Sequence, residues 1–209
     1  MKGSGKKEKI LASAKKLILE KGFVRTSVED ITNYVGIAKG SFYTYYSSKD
    51  ELLGSIIKEV LELRREKLEN LLKTAKTLDE GIYEYVKIRL LFMESERNLE
   101  NTLVIVNLQR NIEILSDCVK DLLVELEWLN KEKFMELLRK FTDLSEDKIN
   151  RYAIFVSGGV RAFRMEKFFY RDKKDFFLTK EHEVIEKVKK IDLEEELRGI
   201  AFIINNLVK

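Results

Sequence analysis

The chain has 209 residues and a formal net charge of +3, with 44% apolar and 36% charged residues, no proline, one cysteine and one histidine. That length buries a sizeable core without staples, a lone Cys118 excludes an intrachain disulfide framework and suits a reducing compartment, and Cys118 with His182 is too little for a Cys/His zinc site. The absence of proline, the strongest helix breaker, together with only 10 glycines, points to an all-α protein. Lys15 and Lys16 interrupt the first apolar stretch before it becomes a signal-peptide core, and runs such as 103–106 and 200–204 fall far short of the roughly 20 residues of a membrane span. A cytoplasmic protein with no membrane partner is therefore expected. Charge is uneven: residues 1–56 carry ten basic and six acidic side chains, a net +4, which leaves −1 for the other 153 residues. A basic N-terminal module on a near-neutral body is the electrostatic arrangement of a DNA-binding head.

In chain order, Ile10, Leu11, Ala14, Leu17 and Ile18 make one apolar stripe of a first helix, stopped by Gly22. Ser27 with Asp30 three residues later has the spacing of a capping box and starts a second helix over 28–35, ended by Gly36. A third helix follows after about two residues and spans 38–46, with Phe42 and Tyr46 inward. Two short helices joined by a glycine-containing turn are a helix-turn-helix pattern. On the third helix Lys39, Gly40, Ser41, Tyr43, Thr44 and Tyr45 are left outward. Small residues allow close approach to a major groove, hydroxyls reach phosphates, and lysine reads guanine or phosphate; the competing reading is that the tyrosines merely fill a small core. Ser48 and Glu51 cap a fourth helix, whose apolar stripe continues past residue 60 without a linker to about residue 73.

The stretch Thr26–Ile31, then Gly36–Tyr46 and Ser48–Leu52, resembles the DNA-binding domain of the TetR family of bacterial transcriptional regulators over roughly residues 10–55. Tyr34, Val35 and Tyr46 depart from the usual family residues, and none of the three removes a DNA-facing group. The resemblance implies that Ser27, Tyr43, Tyr45 and Lys49 contact the phosphate backbone, and that Ala38, Lys39, Gly40, Ser41 and Thr44 lie nearest the base edges. It also implies residues 1–55 as the head and 56–209 as a helical body for effector binding and dimerisation.

The body reads as helices over 77–96, 101–109, 112–141, 145–170, 179–190 and 192–208. Two of them are apolar on more than one face, and such a helix must be buried in its own core or against a partner. Gly158-Gly159 inside a helix costs about 2 kcal/mol in propensity, tolerable where it permits a close crossing. By resemblance the last two main helices form a dimer, with Phe155, Gly158, Gly159, Ala162, Leu197, Ala201 and Ile204 at the interface. The resemblance also implies an effector pocket, for which Tyr85, Phe92, Met93, Trp128, Phe134, Phe155, Phe163 and Phe168 are the apolar candidates and Asn107, Gln109 and Arg110 the polar ones. Each is more often a plain core position. A mostly apolar lining suggests a small hydrophobic effector.

Catalysis finds little support. No nucleotide loop is present, no metal site or cofactor is implied, and His182 sits among the charged Lys180, Glu181 and Glu183. Cys118, beside Val119 and Leu122, reads as a buried inert thiol. The expected function is a dimeric, ligand-released repressor on a pseudo-palindromic operator. The alternatives are a helix-turn-helix activator or architectural DNA binder without an effector, and a helical interaction protein whose head no longer binds DNA.

Overall fold

The computed structural model describes residues 4–90, 96–170 and 181–209, and all regular structure among them is helical. The helices are α1 (Ser4–Lys21), α2 (Val28–Val35), α3 (Lys39–Tyr43), α4 (Lys49–Thr74), α5 (Leu78–Leu90), α6 (Glu96–Arg110), α7 (Asp117–Phe141), α8 (Glu146–Arg164), α9 (Glu181–Lys189) and α10 (Leu193–Val208). Among the described residues none is long and apolar enough to cross a membrane. Packing divides the chain into two compact units, one of Met1–Val60, Met93–Val124 and Thr179–Glu181, the other of Leu61–Phe92, Glu125–Leu178 and His182–Lys209. The unit holding the expected head is thus larger than residues 1–55, because it includes α6 and the first part of α7.

In the first unit the inward stripe of α1, Ile10, Ala14, Leu17 and Ile18, is buried with Ile31 of α2 and Phe42 of α3. Gly22 ends α1 at φ +84° and its N–H donates to the Ile18 carbonyl, the left-handed conformation that glycine adopts without penalty. Phe23 then turns inward, and its backbone N–H donates to Asn107 Oδ1 of α6 at 3.1 Å. The buried Lys15 of α1 is neutralised by Glu59 of α4 at 3.3 Å. Gly36 at φ +75° closes α2 by donating back to the carbonyls of Asn33 and Thr32.

The second unit is built from the later part of α4, α5, the later part of α7, α8, α9 and α10. Its core holds Tyr85 and Phe134, with ring centroids 4.8 Å apart, and Phe168, Phe169, Leu137 and Leu138. At Gly81 on α5 a methyl group would sit 2.5 Å from Leu137 Cδ1, so a larger residue there would push that side chain of α7 aside. α10 packs against α5 and α8.

Several expected boundaries move. The third helix ends at Tyr43 rather than 46: Tyr45 and Tyr46 both donate to the Phe42 carbonyl, and Ser47 N–H is taken by the Glu51 carboxylate at 2.6 Å. The expected helix over 112–141 is broken into a 3-10 turn, Ile112–Ile114, an extended Leu115 and then α7. Asn111, with its side chain donating back to the Asn107 carbonyl at 2.8 Å, marks that break. The helix expected to reach residue 170 ends as an α-helix at Arg164 and widens into a π-helical turn, Met165–Phe169. α6 is longer than expected, beginning at Glu96. The last part of the expected helix over 77–96 and the expected start at 179 fall on residues 91–95 and 171–180, which lie outside the described residues.

Candidate functional site

The surface offered by α3 follows from its shortness. With Phe42 fully buried and Tyr46 2% exposed, five residues of helix cannot hide the rest of their circumference. Ala38, Lys39, Gly40, Tyr43 and Thr44 are exposed, and Ser41 and Tyr45 are half-buried. Phe42 braces this surface from below, its ring edge-on to Tyr43 at 5.4 Å. A methyl group on Gly40 would meet nothing within 4 Å, so the chain's own packing does not demand glycine there. A small residue facing open space leaves room for something to approach the backbone. The side chain of Thr44 turns back toward the Gly40 carbonyl at 3.5 Å.

At the start of α2, Ser27 makes the capping box that its spacing predicts. Its Oγ accepts from Asp30 N–H at 3.1 Å and donates to Asp30 Oδ2 at 2.6 Å, while Ser27 N–H donates to the same carboxylate at 2.7 Å. Lys21 pairs with Asp30 at 2.7 Å. Lys21 and then Ser27 hold the Asp30 carboxyl well below the usual carboxylate range. The Ser27 hydroxyl proton is therefore committed to a neighbouring carboxylate.

Lys49 differs most from its expected role. Its ammonium donates to the carbonyls of Thr26 at 2.9 Å and Phe23 at 3.3 Å and lies 4.0 Å from the Phe23 ring centroid. Burial lowers its pKa. In this geometry the side chain ties the start of α4 to the turn after α1, and the hydrogen-bonding capacity expected for a phosphate is in use inside the head. Additional positive charge comes from Lys6, Lys7 and Lys9, exposed at the start of α1, with Lys7 Nζ 5.4 Å from the Tyr46 ring centroid.

The residues expected to line an effector pocket fall in both compact units. Asn107 and Gln109 lie half-buried and Arg110 exposed in the first unit, where Asn107 serves Phe23. In the second unit Tyr85, Phe134 and Phe168 are buried and Phe163 is half-buried, whereas Trp128 and Phe155 are 60% and 66% exposed and line no enclosed space. Phe92 and Met93 lie outside the described residues. An open cavity of about 380 Å³ is lined by Glu127, Trp128, Lys131, Ile154, Ser157, Gly158 and Arg161. Behind Glu127 and Ser157 stands a polar group that the pocket expectation missed. Tyr85 Oη donates to the Asn130 carbonyl at 3.0 Å, and Arg89, 1% exposed, donates to Tyr85 Oη at 3.0 Å and to the Ser157 carbonyl at 3.4 Å. The missed signal was in the sequence: Arg89 sits at the fourth position of the stripe Ile82, Tyr85, Val86, Arg89, at helical spacing on the apolar face.

The interface set also divides. Phe155, Gly159 and Ala162 are exposed and Gly158 half-buried, but Leu197, Ala201 and Ile204 are each 5% exposed or less on the face of α10 that the chain itself covers. They are core residues, because α10 needs that stripe to close the second unit; its outward apolar residues are Phe202 and Ile203, 69% and 65% exposed. Cys118, expected to be buried, is exposed. Among the described residues no cluster of His, Cys, Asp and Glu could hold a metal ion.

Residues 10–56 match the family model described as "Bacterial regulatory proteins, tetR family". The uncharacterised HTH-type transcriptional regulator YvdT of Bacillus subtilis is 47% identical over 58 residues, 28% of this chain and 30% of that protein. The fatty acid metabolism regulator protein of Bacillus subtilis is 26% identical over 105 residues, 50% of this chain and 54% of that protein. The chain thus spans about a third to a half of the length of these curated relatives. Among solved structures, the fatty acid degradation regulator FadR from Bacillus halodurans superposes with a TM-score of 0.68 at 18% identity, over 95% of this chain and 94% of that one. The regulator PfmR from Thermus thermophilus superposes with a TM-score of 0.65 at 21% identity, over 93% and 96%. At these identities the solved structures share the fold.

Proposed function

We propose that this chain, which belongs to the TetR family of bacterial transcriptional regulators, is a sequence-specific DNA-binding regulator that acts as a dimeric repressor released by a small-molecule effector. The observation that carries the reading is the helix-turn-helix itself: Ala38, Lys39, Gly40, Tyr43 and Thr44 stand exposed over a buried Phe42 and Tyr46, on a segment bearing a net +4. Residues 1–55 form the head, and residues 56–209 the effector-binding and dimerisation body. Tyr43 and Tyr45 position the head on the phosphate backbone, and Lys39, with Ala38, Gly40, Ser41 and Thr44, reads base edges. Ser27 and Lys49 join the phosphate contacts by exchanging their internal partners for a phosphate oxygen. With Lys39 as the one long donor on the α3 face, DNA shape supplies part of the specificity.

Dimerisation uses the outward faces of α8 and α10, where Phe155, Phe202 and Ile203 are each about two-thirds exposed. Large apolar side chains grouped on a surface mark an interaction site, and a two-fold pair presents two heads to successive major-groove faces of a pseudo-palindromic operator. Effector and operator binding are then linked reciprocally, with a coupling of about 1–3 kcal/mol. The protein works in the cytoplasm, where its DNA is, and needs no cofactor.

Fluorescence-anisotropy titration of the purified protein onto its own upstream intergenic DNA, beside a scrambled duplex and at several salt concentrations, tests the reading. Tight, salt-sensitive binding that prefers the native fragment is expected. Equal, weak binding to both duplexes would overturn sequence-specific regulation at that promoter. Phe202→Glu is expected to shift the protein from dimer to monomer in sedimentation velocity; an unchanged dimer would move the interface elsewhere.

A further inference from the structure

The second unit encloses more positive charge than it neutralises. Arg64 of α4, Arg89 of α5 and Arg164 at the end of α8 come from three helices, and the carboxylate that faces them among the described residues is Glu127 of α7. Arg64 is half-buried as a residue, with its charged end enclosed. Its guanidinium donates to Asn130 Oδ1 at 3.1 Å, and the Asn130 carbonyl in turn accepts from Tyr85 Oη, to which Arg89 also donates. Glu127 approaches Arg89 only to 4.0 Å and is itself 28% exposed. Arg164 is 7% exposed, and its buried Nε and that of Arg89 have no hydrogen-bond partner. Burial, followed by the neighbouring Arg89 charge, lowers Arg64 to about 9 and Arg164 to about 10, so both still carry their protons at neutral pH.

Three enclosed cations facing one partly solvated carboxylate are an unfavourable arrangement on their own, since a buried charge is tolerated when it is paired and hydrogen-bonded. Each residue also occupies an apolar stripe, at Leu61-Arg64-Leu68, Tyr85-Arg89 and Val160-Arg164, where a leucine would fold the helix with less cost. The guanidinium fork matches a carboxylate or phosphate in two-point contact. Directly after Arg164 the helix widens into the π turn Met165–Phe169, a distortion that occurs frequently at functional sites. Tyr85, which accepts from Arg89, and Phe134, whose ring centroid lies 4.8 Å from that of Tyr85, supply the neighbouring aromatic surface.

We infer that Arg64, Arg89 and Arg164 form the anion-binding subsite of the body, which takes the carboxylate or phosphate group of an amphipathic small molecule whose apolar part packs on the neighbouring aromatics. This inference rests on reading the body as effector-binding, and it replaces a purely hydrophobic effector by an anionic one. Glu127 then has a second use: it holds Arg89 in the absence of the anion and gives way when the anion arrives.

The test uses the full-length protein and four probes in isothermal calorimetry: decanoate, methyl decanoate, decyl phosphate and inorganic phosphate. Decanoate or decyl phosphate is expected to bind at least about tenfold more tightly than methyl decanoate, as charge-assisted contacts predict, and which of the two is preferred identifies the head group. Inorganic phosphate binding as tightly as decyl phosphate would overturn the apolar half of the inference. In Arg164→Met the acid-over-ester preference is expected to vanish, while the melting temperature without ligand stays level or rises, because an unpaired buried charge is gone. Arg64→Gln makes the same test should that variant fail to fold. Equal affinity for acid and ester in the wild type, or a preference that survives in the variants, would overturn the subsite. Operator titration of the same samples keeps the two readings apart. Specific DNA binding without an acid preference removes the subsite alone, and an acid preference without specific DNA binding removes the regulator alone.

Discussion

The head and the second unit solve the placement of polar groups in opposite ways. In residues 10–56 most caps work at short range: Ser27 and Asp30 cap α2, Glu51 caps the turn at Ser47, and Thr26 donates to the Gly22 carbonyl four residues back, while Lys49 reaches across to the carbonyls of Phe23 and Thr26. Its buried lysine, Lys15, is paired with Glu59. In the second unit the buried polar groups are joined across long separations, Arg64 to Asn130 and Tyr85 to Asn130 and Ser157, and they leave guanidinium nitrogens without partners. The head thus draws on Glu59 of α4 and Asn107 of α6 for its buried polar groups and presents the α3 surface outward. The second unit is apolar and close-packed, as at Gly81 against Leu137, except where charge has been placed inside it at a cost. Such a cost is sustained where a ligand or a structural switch uses it.

The contrast can be broken most sharply at Phe42. Truncation of this fully buried ring in so small a core is expected to cost about 3–5 kcal/mol. Phe42→Ala should abolish DNA binding, while near-ultraviolet circular dichroism shows Trp128 of the second unit retaining its native signal. Collapse of both signals together would show that the two regions do not differ in independence. Lys49→Ala comes next, removing a charged donor to two backbone carbonyls. The loss is expected to be about 1.5 kcal/mol in thermal or denaturant unfolding. If Lys49 also exchanges onto a phosphate, the salt slope of DNA binding becomes shallower by about one ion. A destabilised protein with an unchanged slope would leave Lys49 with the structural role alone.

Ser27→Ala is expected to cost about 1 kcal/mol through loss of the cap and to weaken binding to all duplexes alike, because a phosphate contact carries no base preference. A change in sequence preference would place Ser27 nearer the bases. The smallest effect is that of acid. Neighbouring donors hold the folded-state pKa values of Asp30 and Glu51 below their ordinary values of 3.8 and 4.5. Their contribution is therefore fully present above those unfolded values and is lost as pH falls through the lower folded ones. Amide exchange at the starts of α2 and α4 should rise below about pH 4, with little change between about pH 5 and 7.

The head was legible because its signals are local. Gly22 and Gly36 stand where a left-handed residue is required, and the pair Ser27 and Asp30 closes the box that its spacing announces. The third helix was overestimated for the same reason: periodicity extends through Tyr45 and Tyr46, whereas competition from Glu51 for the next N–H stops the helix earlier. In the body, alternative apolar faces of one helix are equivalent to any periodicity count. On α10 the stripe Leu197, Ala201 and Ile204 and the pair Phe202 and Ile203 are both apolar, and only packing against α5 and α8 assigns the first inward and the second outward. Phe155 was read as pocket lining because hydrophobicity alone cannot tell an interior from an outward apolar face, whereas Trp128, also exposed, lines the open cavity.

The amino-acid sequence by itself determined an all-α chain, a helix-turn-helix in its first fifty-five residues and the exposed identity of the α3 surface. Helix starts, glycine stops and charge distribution are written within a few residues of where they act. Packing in three dimensions settled which face of α10 is core, that Lys49 is held by the carbonyls of Phe23 and Thr26, and that Arg89 and Arg164 are enclosed with Arg64 near enough for their charges to oppose one another. Those outcomes depend on residues far apart in the chain meeting in space, and a contact of that range leaves no mark in the local pattern of a single chain.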